Sequence, residues 1–172
     1  MRILGIDPGM GTTGFALLDE TAAGQLVLKR SGEIRTAARD PFSKRLKFLF
    51  DGILQVIDSD LPSAVALEDT FLAKNFKSAL KLGQARGAAL LAAEFHRLPV
   101  SEYSPTAVKM AVVGYGGADK DQVRQMVSRF LQLPGILGSE HEADAAAVAI
   151  CHAHSAKFQE KVRLSGKEQR RL

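Results

Sequence analysis

Residues 2–7, Arg-Ile-Leu-Gly-Ile-Asp, and residues 15–18, Phe-Ala-Leu-Leu, are two short apolar runs separated by a segment that contains three glycines. Runs of this kind joined by a glycine-containing connection are typical of two hairpin-linked strands. A third run begins at residue 25 and continues toward Thr36, which predicts a third strand. The sheet is therefore predicted to open with an antiparallel meander.

The rest of the chain alternates between helical and extended patterns. Residues 43–58 carry apolar side chains at steps of three and four, the period of an amphipathic helix, and Pro41 marks its start. Residues 64–68 read as a buried strand that ends in a carboxylate. The remaining predicted elements are a long helix at 76–97, a short strand at 100–103, and helices at 104–112, 120–131 and 141–156. This order predicts an α/β fold, with a mixed five-stranded sheet and helices on both of its faces.

The size and composition of the chain predict one soluble domain. A single hydrophobic core is commonly built from about 100–200 residues, and the chain has 172, of which 46% are hydrophobic and 24% charged. No apolar run approaches the roughly 20 residues that span a bilayer, so we expect no membrane association. The N-terminus lacks the pattern of a secretory signal, and Cys151 has no second cysteine to pair with, which favours a cytoplasmic protein.

The positive charge is concentrated at the C-terminus. Residues 157–172 contain six basic and two acidic side chains, which equals the whole net charge of +4, whereas residues 1–156 carry 17 of each sign. We therefore predict one folded domain at 1–156 and a flexible basic tail at 157–172. The tail is interpreted either as a solvated terminus or as a tether for DNA.

Two acids stand at the ends of predicted buried strands. Asp7 ends the first strand and Glu68 ends the fourth, and a buried carboxylate is costly unless it pairs with a cation. Near the C-terminus, His141 and Asp144 open an alanine-rich helix, where residues three apart lie on one face. The sequence predicts that these four side chains converge on a small volume.

Such a set of mainly oxygen ligands suits magnesium or manganese. Two ions in one site favour phosphodiester hydrolysis, because they activate a water and stabilise the leaving oxygen. Each acid taken alone has a simpler explanation: Asp7 can end a turn, Glu68 can pair with Arg86, and Asp144 can complement a helix N-terminus. Their joint occurrence favours the metal site.

Several stretches of the chain, in order from about residue 2 to residue 155, resemble the bacterial RuvC family of Holliday-junction resolvases. The motifs that carry the resemblance are Asp7-Pro8-Gly9, Glu68-Asp69-Thr70-Phe71, Ala73-Lys74-Asn75, Ser78 to Gly87, Val112-Val113-Gly114, Lys120 to Val123 and His141 to Ala146. The resemblance implies an RNase-H-like fold and a homodimer that makes paired symmetric nicks in a four-way DNA junction. It also implies a short thymine-containing cleavage sequence and cooperation with the branch-migration proteins RuvA and RuvB.

The resemblance also implies roles for individual residues. It gives the catalytic metal ligands as Asp7, Glu68, His141 and Asp144, with Lys109 and Lys120 beside the scissile phosphate and Phe71 against a junction base. Many relatives carry an aspartate where this chain has His141, and a neutral imidazole suits manganese better than magnesium. His141 can alternatively act as a proton shuttle, and Glu140 is a further candidate ligand.

The long helix provides the remaining predicted contacts. Lys74, Lys77 and Lys81 are spaced as one basic stripe that can bind phosphates, although a solvated helix face explains them equally well. Arg86 is predicted as a further DNA contact. Small residues on the same helix permit close approach of a second helix, either across a two-fold dimer interface or within one chain.

Three other functions remain open at this point. The glycine-containing hairpin after Asp7 also resembles the phosphate-binding hairpin of sugar kinases and actin-like ATPases, although those proteins need two lobes. An RNase-H-like nuclease that cuts structured RNA would share the acid cluster. A junction-binding protein without activity is the third, if His141 impairs the site. Zinc binding by Cys151, His152 and His154 is disfavoured, because three near neighbours on one helix cannot all face one ion.

Overall fold

The structure of the chain, a computed structural model, describes residues 1–69 and 76–168, with side chains described up to residue 158. The strands are β1 (Arg2–Asp7), β2 (Thr12–Glu20), β3 (Leu26–Arg35), β4 (Ala64–Glu68) and β5 (Val100–Tyr103). The helices are α1 (Phe42–Asp60), α2 (Phe76–Phe95), α3 (Pro105–Val113), α4 (Lys120–Phe130) and α5 (Glu140–Glu168). The sheet has the order β3-β2-β1-β4-β5, antiparallel among β1 to β3 and parallel from β1 through β4 to β5. This confirms the predicted mixed five-stranded sheet.

Two elements differ most from the prediction in length. Strand β2 begins at Thr12 rather than at residue 15, because Thr12 and Thr13 pair with Arg35 and Ile34 of β3, and main-chain pairing does not require apolar side chains. Helix α5 continues to Glu168 rather than ending at 156, because no glycine or proline interrupts the sequence before Gly166. The division into a domain and a tail after residue 156 stays a prediction. None of the helices in the described ranges is long and apolar enough to cross a membrane.

The sheet has a hydrophobic core on each face, which confirms that helices cover both. On one face, α1 and α2 pack through Leu49, Ile53, Val56, Ala85 and Ala89. On the other face, α5 packs with α3 and α4 through a set of mainly small side chains: Val108, Val112, Val123, Val127, Ala145, Ala146, Ala149 and Ile150.

Strand periodicity directs the acids to the α5 face. In β1, Leu4 and Ile6 belong to the core under α1 and α2, whereas Ile3 belongs to the core under α5. Successive side chains in a strand point to opposite faces, so Asp7 shares the face of Ile3. The same alternation in β4 puts Glu68 on that face, and the pairing of Ile6 with Leu67 makes the two acids lateral neighbours.

Helix α5 lies unusually close to the sheet at two glycines. A Cβ atom added to Gly5 would lie 2.0 Å from the carbonyl oxygen of Ala145, and one added to Gly14 would lie 2.1 Å from that of His141. Gly14 is the cross-strand partner of Asp7. The first turn of α5 is therefore held directly beside the acid on β1.

We expect Gly5→Ala to lower the free energy of unfolding by about 1–3 kcal/mol, because the new methyl group forces α5 away from β1. Gly135→Ala is the matched control, since nothing lies within 4 Å of a Cβ at that position. Urea denaturation of the two variants measures the difference. Equal stability of Gly5→Ala and the wild-type chain would contradict the close approach.

Candidate active site

Three elements bring the predicted acids to one end of the sheet. Asp7 and Glu68 stand at the adjacent carboxyl ends of β1 and β4, and Asp144 lies in the first turns of α5. The Nδ1 atom of His141 lies 2.7 Å from Oδ2 of Asp7, which is only 14% exposed. Residues 134 positions apart in the sequence are thus in direct contact.

The pKa of Glu68 reflects its burial and the negative charges that lie near it. Burial, the largest cause, and the nearby charges of Asp7 and Asp144 raise the pKa of Glu68 from 4.5 to about 7, against the opposing effect of Lys120 and Lys109. Repulsion between carboxylates is stronger in a partly buried site than in water, because the effective dielectric constant is lower there. Three carboxyl groups from distant parts of the sequence therefore share one electrostatic environment.

Asp144 and His141 are shifted by the same cluster. The pKa of Asp144 is raised, first by burial and then by Asp7, while Lys120 and His141 oppose the shift. The pKa of the His141 imidazole is raised mainly by its hydrogen bond with Asp7. Both directions are those expected when carboxylates lie close to one another and to a cationic partner.

Two lysines stand on the other side of this cluster. Lys109 on α3 and Lys120 on α4 flank the glycine-rich loop 114–119, and both line a cavity of about 240 Å³ together with Glu68 and Asp144. Lys120 pairs with Glu140, and its Nζ atom lies 3.8 Å from Oδ2 of Asp144. A cavity lined by both carboxylates and ammonium groups suits a phosphate diester together with cations.

The donor set fits divalent cations. Carboxylates and an imidazole are ligands for magnesium and manganese, and a bound cation would offset the negative charges of Asp7 and Asp144 that add to burial in raising the pKa of Glu68. In the described part of the chain, no three histidine, cysteine, aspartate or glutamate side chains are already arranged around one point as a formed metal site. Instead, Asp7 hydrogen-bonds with His141, and Asp144 faces Lys120.

Glu140, the further candidate ligand, is engaged by Lys120. This pair keeps Glu140 at the rim, where the side chain is 49% exposed, while Asp144 is 24% exposed. The geometry therefore favours Asp144 over Glu140 as the acid that α5 contributes to the site.

The predicted DNA contacts have different surroundings. Phe71 and Lys74 lie outside the described residues. Lys77 and Lys81 are exposed and line a groove with α1, separate from the cavity that holds Glu68. Arg86 is 22% exposed and pairs with the carboxylates of Asp69 and Glu102 rather than with Glu68. These ion pairs favour a structural role for Arg86, and its contact with DNA stays a prediction.

The residues that fix the start of α5 were not among the predicted site residues. The backbone N–H of Glu142 donates to the Ser139 hydroxyl at 3.2 Å, and the N–H of Ser139 donates to the Glu142 carboxylate at 3.3 Å. This reciprocal pair is a capping box. The signal was present as Ser139-x-x-Glu142 ahead of an alanine-rich segment.

The contacts of Cys151, His152 and His154 on α5 are consistent with the prediction that these side chains do not share a zinc ion. The ring of His152 hydrogen-bonds with the Tyr103 hydroxyl at 2.9 Å through Nδ1, and the Cys151 thiol faces the carbonyl oxygen of Ala107 at 3.7 Å. The ring of His154 instead contacts Phe130 edge to face. The three side chains point to three different partners.

A mixed sheet with carboxylates at adjacent strand ends, facing a helix that adds a third, defines a nuclease of the RNase-H-like class. The family model described as crossover junction endodeoxyribonuclease RuvC matches residues 3–152. The chain belongs to this RuvC family, and it is an endodeoxyribonuclease. Membership in the family implies a requirement for a divalent metal.

Individual relatives agree with this family. The crossover junction endodeoxyribonucleases RuvC of Geobacter sulfurreducens and Syntrophotalea carbinolica are 50% and 52% identical to the chain, covering 91% and 90% of it and 94% of each relative. The structure of T. thermophilus RuvC in complex with a Holliday junction substrate matches with a TM-score of 0.88 at 34% identity, covering 92% of this chain and 96% of that one. The yeast mitochondrial resolvase Ydc2, at 11% identity and a TM-score of 0.69, covers 97% of this chain and 85% of its own and shares the fold.

The raised pKa values make a prediction about stability. A group whose pKa is raised in the folded state contributes stability that is present below its ordinary pKa and lost as the pH rises through the folded value. Glu68, Asp144 and His141 all shift in this direction. We therefore expect Glu68→Gln to become progressively more stable than the wild-type chain as the pH rises from 4.5 toward about 7, the window of Glu68.

Urea denaturation in the presence of a chelator, at several pH values across this window, measures the difference between the two proteins. Asp51→Asn on the exposed side of α1 is the control, since Asp51 pairs only with Lys47 on its own helix among the described ion pairs. A constant difference between Glu68→Gln and wild type across the window would contradict the raised pKa of Glu68.

Proposed function

We propose that this chain resolves four-way DNA junctions by paired symmetric nicks, through phosphodiester hydrolysis that uses two divalent cations. The observation that carries the proposal is the convergence of Asp7, Glu68 and Asp144, with His141 bonded to Asp7, at one end of the sheet. Family membership and the junction-bound T. thermophilus relative support four-way DNA as the substrate.

In this proposal the acid cluster and His141 hold the ions, which supply an activated water and stabilise the leaving oxygen when bound. Asp7 and Glu68 are held by neighbouring strands, so their separation is set by the backbone pairing of β1 with β4. Asp144 and His141 come from one turn of α5 and complete the site on the side of the helix. The hydrogen bond from His141 to Asp7 orients both groups, and it also gives His141 a route to accept or release a proton.

The lysines of the cavity have a separate task. Lys109 and Lys120 add positive charge to the cavity that Glu68 and Asp144 also line. Ammonium groups bind phosphate oxygens as point charges, and binding of a DNA strand would replace the carboxylate partners of Lys120 with a phosphate. Lys77 and Lys81 are then candidates for contacts with DNA away from the scissile bond, and Phe71 and Lys74 stay predicted contacts.

A homodimer would present two such sites to two strands of a junction. Helix α2 divides into two faces: Ala85, Ala88 and Ala89 are buried against the sheet, whereas a Cβ at Gly83 or Gly87 meets nothing within 4 Å. The outward face carries residues at steps of three and four, namely Phe76, Leu80, Gly83, Gly87 and Leu91. Its three large apolar side chains are 83%, 56% and 65% exposed. We propose that a second copy of the chain covers this face under two-fold symmetry.

Family membership also supports a proposal about the cellular role. We propose that the enzyme acts in recombination and repair in the cytoplasm, cuts at a short thymine-containing sequence, and works with RuvA and RuvB. Junctions are the product of strand exchange between duplexes, so paired nicks in strands of like polarity return two duplexes whose ends can be ligated.

Asp7→Asn is expected to lower the rate of junction cleavage by at least about a hundredfold while leaving junction binding within about twofold, because it removes a metal ligand without removing a basic contact. Gel assays with a synthetic four-way junction measure cleavage in the presence of metal and binding in its absence. Asp51→Asn makes the same chemical change on an exposed helix face and is expected to leave both values unchanged.

The same assay distinguishes the rival functions. Cleavage of RNA hairpins in preference to the DNA junction would favour a structured-RNA nuclease. Binding of the junction without nicks under either metal would identify a non-catalytic junction protein. Loss of both binding and cleavage in Asp7→Asn would contradict the assignment of Asp7 as a metal ligand only.

We expect faster cleavage with manganese than with magnesium at matched concentrations, because the imidazole of His141 is a nitrogen ligand that manganese accepts more readily. Replacing the nitrogen with oxygen, in His141→Asp, is expected to reduce this preference. Initial cleavage rates for both proteins with each metal give the ratio. Equal preference in the two proteins would argue against direct ligation by His141 and in favour of proton transfer.

A further inference from the structure

One carboxylate ties the first turn of α5 to the edge of the sheet. The Ser31 hydroxyl on β3 donates to Oε2 of Glu142 at 2.5 Å, and the backbone N–H of Ser139 donates to Oε1 at 3.3 Å. The two oxygens therefore serve different elements. One completes the capping box within α5, and the other crosses to a strand that lies 111 positions away in the sequence.

The surroundings confine this carboxylate. A Cβ atom at Gly138 would lie 2.5 Å from Oε1 of Glu142, so the backbone at residue 138 lies close against the carboxylate. An acid of β3, Glu33, is also close to this turn: its pKa is lowered, first by the Ser139 hydroxyl and also by Arg35, with which it pairs. Strand β3 is thus joined to the start of α5 by the hydrogen bond between Ser31 and Glu142, with Glu33 close by.

Because Glu142 lies in the first turn of α5, these contacts affect the orientation of the whole turn. Residues 141, 142 and 144 lie within one turn, with His141 against Gly14 of β2 and Glu142 against Ser31 of β3. Two attachments on different sides of one turn fix both the rotation of the helix about its axis and its position along it. The same attachments therefore orient Asp144 and His141.

We propose that Glu142 and Ser31 are positioning residues for the acid cluster: they hold the first turn of α5 so that His141 and Asp144 reach Asp7 and Glu68. Neither residue belongs to the cluster that binds the metal. The inference rests on the proposed function of that cluster. Mutation of residues that support metal ligands, without binding the metal themselves, commonly changes metal affinity by about tenfold or more. The loss of Glu142 or Ser31 is therefore expected to act on metal binding first.

The test compares Glu142→Ala, Glu142→Gln and Ser31→Ala by titration with manganese alone, followed by junction binding without metal and cleavage at low and high manganese. We expect Glu142→Ala to weaken manganese binding by about tenfold and to slow cleavage at low manganese, with recovery at high manganese and unchanged junction binding. Glu142→Gln should lose less, because its amide can accept from Ser139 and donate to the Ser31 oxygen.

Ser63→Ala is the matched control for Ser31→Ala. The Ser63 hydroxyl also links strand ends through hydrogen bonds with Arg2, but it does so at the opposite end of β1 from Asp7. It should leave manganese affinity unchanged. Thermal unfolding of every variant separates a general loss of stability from a loss of metal affinity, and Ser31→Ala and Glu142→Gln keep the test valid if Glu142→Ala does not fold.

The outcomes are distinct. The positioning role would be overturned if Glu142→Ala and Ser31→Ala both kept the manganese affinity of the wild-type protein. If Glu142→Ala does not fold, the same result for Ser31→Ala and Glu142→Gln would overturn it. The cluster assignment itself would stand if Asp144→Asn still lost metal binding. Failure of the wild-type protein to bind manganese or to nick the junction would instead overturn the proposed function. A double variant, Ser31→Ala with Glu142→Ala, should be no weaker than Glu142→Ala alone, because both changes remove the same contact.

Discussion

The structure depends on the close approach of α5 to the first two strands. At Gly5 and Gly14 the helix backbone lies where any side chain on the strand would stand, and alanines on the helix complete the fit. Interiors packed at this density respond to a single added methyl group. The consequence reaches beyond packing, because the part of α5 that crosses Gly14 is the turn that carries His141.

Packing energy also sustains an electrostatic arrangement that is unfavourable by itself. Three carboxyl groups share a half-buried site in which the pKa of Glu68 rises to about 7. Repulsion among them would separate the elements if the strands and the helix were not joined by two hydrophobic cores. The pairing of β1 with β4 and the apolar faces under the helices supply that attachment, so the cluster can persist as a site with surplus negative charge.

Much of this arrangement could be predicted from the sequence, for a definable reason. Asp7 and Glu68 follow buried apolar strands, so their exposure, face and end of the sheet were fixed by the period of two. His141 and Asp144 open a helix whose apolar residues had to face the sheet. Contacts between elements were less accessible, because no periodicity encodes that Glu142 reaches Ser31 or that Arg86 pairs with Asp69. The predicted end of α5 at residue 156 was wrong, because the residues that follow it are good helix formers and the helix continues through them to Glu168.

The pairing of Arg86 with Asp69 also bears on how this family can tolerate changes in chain length. Glu68 and Asp69 are adjacent acids that face opposite sides of the sheet, one toward α5 and the other toward Arg86 on α2. Deletion of one residue within β4 would shift the register by one position, so that the shorter Asp69 entered the cluster and Glu68 moved to the buried position of Leu67. Composition and charge would be almost unchanged, yet the carboxylate would sit about one methylene short of its partners. Insertions and deletions in this strand should therefore be far rarer than substitutions.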